Sequence, residues 1–170
     1  MPAVLTAHQA DAFDTDRFKP AIERVETPNY NQRSEELRDD WRRRFEQSKY
    51  LTIKYGLIDA DRELNRISQM EADWDSYGAE PPSAAAIHTS REILMQLAGD
   101  LILPSTIVPS AEGGVSIYFI ADNKTAYVES YNEGPQVLVM YDDEGNTNVL
   151  EIGTEIPLAD LSGRIVAHLA

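Results

Sequence analysis

The spacing of apolar residues changes character near Pro104. Upstream of it they recur at three- and four-residue steps. Leu37, Trp41, Phe45, Ser48, Thr52 and Tyr55 form one apolar-to-small stripe, which predicts a helix over 34–55 with its stripe in the core. Ser34 is its candidate cap, Glu35 and Glu36 suit the positive end of its dipole, and Gly56 is its expected stop. A second helix is expected over 59–72, burying Leu64, Ile67 and Met70. Gly78, Pro81 and Pro82 then exclude continuous helix and mark 74–82 as an ordered turn or linker. A third helix is expected over 83–98, capped by Ser83, ended by Gly99, and burying Ile87, Ile93, Leu94 and Leu97.

Downstream the period falls to two. Val115, Ile117 and Phe119 alternate with Ser116, Tyr118 and Ile120; residues 125–131 alternate around Tyr127, Glu129 and Tyr131. Residues 136–141 and 147–152 follow, and 106–108 add an edge strand. The connectors between them are short and rich in Asn, Asp and Gly, which requires antiparallel neighbours, because a parallel return needs a crossover of about a dozen residues. From Pro157 the pattern is helical again, with Leu158, Leu161, Ile165, Val166 and Leu169 on one face. The fold class is therefore α+β: N-terminal helices, a four- to five-stranded antiparallel meander within 106–152, and a C-terminal helix over 157–169 packed on the sheet. Residues 33–170 read as a single domain. Residues 1–32 lack a sustained period and read as a partly ordered N-terminal arm, in which Phe13, Phe18, Ile22 and Val25 allow a short helix.

Charge sharpens this picture. The net charge is −14 over 170 residues. Residues 100–170 hold 11 acids against Lys124 and Arg164, or −9, while residues 1–99 hold 18 acids and 13 bases, or −5. So acidic a sheet half repels a phosphate backbone, which argues against direct nucleic-acid binding and for a protein partner with a basic surface. There is no cysteine, and hence no disulfide, thiolate zinc site or cysteine nucleophile. No apolar run approaches the roughly 18 residues that span a bilayer. The first residues, Met-Pro-Ala-Val-Leu-Thr-Ala-His with acids at Asp11, Asp14 and Asp16, lack the basic start and long apolar run of a secretory signal. A cytoplasmic protein with no membrane partner is expected.

Familiar chemistry is missing. The histidines, His8, His88 and His168, have no ligand-type partner at helical spacing; a contact between His88 and Glu92 reads as a surface pair. Asp59-Ala60-Asp61-Arg62-Glu63 resembles the start of a calcium loop, but Leu64 stands where glycine is needed, so it reads as an acid-rich helix segment. GxxxxGK[ST], GxGxxG, GxSxG and HExxH are all absent. No catalytic residue, metal ligand or cofactor is assigned. Arg38, Arg42, Arg43, Arg44 and Lys49 share their helix with Glu35, Glu36, Asp39, Asp40 and Glu46, which points to intrahelical ion pairs.

The candidate interface residues follow from position. Trp74, Asp75 and Tyr77 occupy the proline-bounded segment, where the two aromatics are expected to plug the junction of helices and sheet or to serve as interface anchors. Tyr118, Tyr127, Glu129, Tyr131 and Tyr141 lie on strands, and Asp142, Asp143 and Glu144 at a hairpin tip. Tyrosines sharing an exposed sheet face would form a sticky platform ringed by acid.

Trp74-Asp75-Ser76-Tyr77-Gly78-Ala79-Glu80-Pro81, followed by a helix, a Pro104…Pro109 segment and Gly113-Gly114-Val115 opening a strand, resembles a loose group of small uncharacterised bacterial and phage-associated proteins. The resemblance covers about residues 74–121. It implies fold similarity and a prokaryotic or mobile-element origin, and it transfers no catalytic residue. The leading functional expectation is a non-enzymatic acidic protein that binds or inhibits another protein, in a phage–host defence or counter-defence setting, with nucleic-acid mimicry as a sharper variant. The alternatives are a nucleotide or metabolite sensor using Arg62, Arg91 or Lys124, and an acid- or metal-dependent hydrolase using Asp73 or Asp75. Homodimerisation through the Leu37–Tyr55 helix or the open sheet edge is compatible with each.

Overall fold

The computed structural model describes residues 30–142 and 144–170, with side chains from residue 33 onward. Residues 1–29 of the expected N-terminal arm and Asp143 lie outside the described residues, while its last three residues, 30–32, belong to a helix. The chain divides into two units, residues 1–40 and 41–170. Of the first, the described part is the helical run from Tyr30, in which Ser34 is an interior residue rather than a cap and Leu37 is exposed.

The elements are α1 (Tyr30–Ile67), α2 (Ala84–Gly99), five strands and a closing helix, in the order β1 (Thr106–Pro109), β2 (Gly114–Ala121), β3 (Lys124–Tyr131), β4 (Gln136–Tyr141), β5 (Thr147–Ile152) and α3 (Leu161–Leu169). A single 3₁₀ turn, Leu158–Asp160, leads into α3. The sheet is a five-stranded antiparallel meander with spatial order equal to chain order, as the short connectors require.

The expected helices 34–55 and 59–72 are one continuous helix ending at Ile67. Gly56 does not stop it. A β-carbon at Gly56 would lie 2.5 Å from Leu103 Cδ1, so this glycine lets the loop after α2 pack close against α1. Continuity also changes the faces. At about 100° per residue, the Trp41–Tyr55 stripe lies roughly 110° around the helix from Ala60, Leu64 and Ile67. Only the latter set is buried; Trp41, Phe45 and Tyr55 are 74%, 51% and 60% exposed. The expectation that this stripe joins the core is therefore overturned.

The second helix boundary behaves as its chemistry demands. Ser83 Oγ accepts from the backbone N–H of Ala86 at 3.1 Å, the usual N-cap contact. Ile87, Ile93, Leu94 and Leu97 are buried. They pack, with Leu64 and Ile67, on the sheet face formed by Ile107, Val115, Ile117, Phe119, Ala126, Val128, Leu138 and Met140. On α3, Leu161 and Ile165 enter this core; Val166, about 100° around the helix from Ile165, remains exposed, as does Leu158 in the 3₁₀ turn. At its end, His168 Nε2 lies 2.8 Å from the carbonyl oxygen of Tyr141 and 3.2 Å from that of Thr125, which ties α3 to β3 and β4.

Candidate functional site

Because successive strand residues face opposite ways, the second sheet face is determined once the first is filled. It carries Val108 on β1, Ser116 and Tyr118 on β2, Tyr127 and Glu129 on β3, Val137, Val139 and Tyr141 on β4, and Val149 on β5. Tyr118 stands directly opposite Tyr127, which stands opposite Val139. The Tyr118 and Tyr127 rings stack with centroids 4.9 Å apart, and Tyr127 and Tyr141 stack at 6.0 Å. Cross-strand and diagonal neighbours on one face are within aromatic reach, so the register builds this row.

One end of the row closes around a carboxylate. Glu129 is only 8% exposed. Its Oε1 accepts from Ser110 Oγ at 2.5 Å and its Oε2 from the Tyr131 hydroxyl at 3.1 Å. The carboxylate lies in a hollow of about 350 Å³ walled by Tyr118, Tyr127 and Tyr131, with Ser110, Glu112 and Ser116 at its margins. The phenols here resist ionisation. Tyr131 is pushed up to about 12, first by burial and then by the charge of Glu129. Tyr118 and Tyr127 are also raised, with burial again the largest cause. Nucleophiles and general bases are activated by shifts that make the reactive form accessible near neutral pH, and these shifts run the other way. The hollow offers tyrosine side chains and a carboxylate already oriented by two donors. A carboxylate so held can accept charge-assisted hydrogen bonds from a cationic group.

The other candidates have local tasks. Asp75 Oδ1 accepts from the N–H groups of Tyr77 and Ala79 at 2.9 and 3.1 Å, and Asp73 Oδ1 from Gly78 at 2.8 Å. The Tyr77 and Ala79 bonds hold the Asp75 carboxyl below the usual carboxylate range, and all three stabilise a turn with Asp73 and Ser76 at φ 64° and 63°. Trp74 is half-buried and its Nε1 donates to the Glu80 carbonyl. Tyr77 is 94% exposed, so it does not plug the junction: the turn aims it outward. Asn132 secures the segment, donating to the Pro81 carbonyl and accepting from Ser83 N.

At the β4–β5 tip, Asp142 accepts from the backbone of Glu144 and Asn146 and from the Asn146 side chain. The Asn146 bonds lead in holding its carboxyl low. The cations named for a nucleotide sensor are partly engaged: Arg62 bonds Asp59, and Arg91 reaches Asp61 and Asn65 to join α2 to α1. His88 and Glu92 form an exposed pair at 3.5 Å. No grouping of three or more metal-ligating side chains occurs among the described residues.

The structure thus gathers Tyr118, Tyr127, Glu129, Tyr131 and Tyr141 on one face. Trp74, Asp75 and Tyr77 build a separate turn, and Asp142 and Glu144 a hairpin tip. Sequence reasoning missed Ser110 and Glu112. Both lie in the β1–β2 connector, where periodicity carries no signal, and only the register brings Ser110 to Glu129. No protein-family model, curated protein or solved structure matches the chain.

Proposed function

We propose that this chain is a non-enzymatic binding protein whose open sheet face receives a basic segment of a protein partner, with an arginine or lysine side chain seated against Glu129. One observation carries this reading: a carboxylate largely withdrawn from water in the lining of a hollow that three tyrosines share. Withdrawing a charge is costly unless hydrogen bonds and a countercharge compensate. Ser110 and Tyr131 supply the bonds, and a cationic side chain supplies the countercharge. Tyrosines add large, rigid contact area at small entropic cost, which is why they anchor interfaces. The excess of acid over residues 100–170 steers a basic partner toward this half and raises its association rate. A phage–host defence or counter-defence role fits an inhibitor of this design.

Isothermal titration with a short arginine-containing peptide, its citrulline analogue and the Glu129→Gln variant tests the reading. The arginine peptide is expected to bind, and the uncharged isostere to bind at least ten-fold more weakly. Glu129→Gln should lose about ten- to one hundred-fold, the range of a hydrogen bond to a charged group at about 1.5–3 kcal/mol. Equal affinity for the arginine and citrulline peptides would refute it.

A further inference from the structure

The apolar face of α1 that the core leaves uncovered has the size and charge pattern to meet a second copy of itself. Between Trp41 and Asp59, Trp41, Phe45, Leu51, Tyr55 and Ile58 are all exposed. At about 200 Å² for an aromatic side chain and somewhat less for an aliphatic one, they present roughly 500 Å² of apolar area. That is at the upper end of the largest patch on an ordinary monomer, about 300–600 Å². With flanking polar side chains it approaches the about 800 Å² per partner of a standard interface.

Charge selects the arrangement. At about 100° per residue, Arg42, Arg43 and Lys54 point away from the stripe, while Lys49 reaches onto it, its Nζ 4.5 Å from the centroid of the Phe45 ring. On or beside it lie two bases in its first half, Arg44 and Lys49, and one acid at its end, Asp59. Pairing two copies antiparallel about a two-fold axis between Leu51 and Thr52 sets Arg44 of each against Asp59 of the other. It also sets the small Ser48 against the ring of Tyr55. Parallel pairing would instead stack Arg44 on Arg44 and Asp59 on Asp59. Asp59 already accepts from Arg62 at 2.6 Å, and the second copy adds Arg44 to that pair.

We infer that the chain forms an isologous dimer through the Trp41–Asp59 face of α1, antiparallel and centred at Leu51 and Thr52. Because the chain has no cysteine, single introduced thiols report on the geometry without ambiguity. Light scattering should give twice the 19.0 kDa chain mass, falling to the monomer in Tyr55→Glu with an unchanged circular dichroism spectrum. Under mild oxidation Thr52→Cys should form a disulfide-linked dimer. Asp59→Cys should not, since its two copies would lie more than about 20 Å apart at 1.5 Å per residue. A monomeric wild type at every concentration overturns the inference. So does cross-linking of Asp59→Cys with itself, which would signal parallel pairing. The arginine-peptide titration reports on the sheet face in either case, so the two proposals fail independently.

Discussion

A carboxyl group taken out of water needs donors, and Glu129 has two, Ser110 from the β1–β2 connector and Tyr131 from its own strand. The same arrangement acts on the phenol. A tyrosine whose ionisation is pushed up in the folded chain stabilises the fold below the unfolded value of about 10. That contribution is lost as pH rises toward about 12, the folded value of Tyr131. Ultraviolet phenolate titration should therefore show tyrosines ionising well above an exposed one, together with loss of structure across that window. In Glu129→Gln the Tyr131 transition should move down, because the charge that ranks next to burial among the causes of its elevation is gone; an unmoved transition would show that the Glu129 charge does not set it. A glycine marks the other decisive residue. Gly114 has φ 138°, and a β-carbon there would meet the Ser130 carbonyl oxygen at 2.2 Å. Gly114→Ala forces β2 away from β3 where Gly114 pairs with Tyr131 and is expected to destabilise by more than about 1 kcal/mol, measured as a lowered urea midpoint. An unchanged midpoint would mean the strands can separate there without cost.

Among elements, the strands were the most legible in the sequence. Alternation around Ile117, Tyr127 and Leu138 fixes two faces, and the connectors leave no alternative to a meander. The side bearing the helices was not legible, because both faces carry apolar residues: Val115 and Ile117 on one, Val137 and Val139 on the other. Ser83 was readable as a cap because its chemistry is local. Gly56 was not, because the reason for that glycine is Leu103, 47 positions away. A helical stripe in sequence likewise states that a face is apolar but not what covers it, and so Trp41 and Phe45 read as core although they are exposed. The Trp74–Pro82 segment was legible as an ordered turn. The outward aim of Tyr77 depends on backbone bonds to Asp73 and Asp75 that no periodicity encodes.

At the scale of the whole molecule, the acid of residues 100–170 and the tyrosine row belong to one chain segment, and their roles separate by range. Exposed carboxylates such as Asp122, Glu133 and Glu144 act at a distance and are screened beyond about 10 Å at 0.1 M salt. Glu129 acts at contact, where salt matters less. The central claim is that a cationic side chain docks at that contact. Its most direct test is to map, by two-dimensional NMR, the amides perturbed as an arginine-containing peptide is added to the full chain. The account predicts that the shifts concentrate at Ser110, Ser116, Tyr118, Tyr127, Glu129 and Tyr131 and persist when salt is raised. Shifts confined to the acidic connectors and abolished by salt, with those residues unmoved, would contradict it.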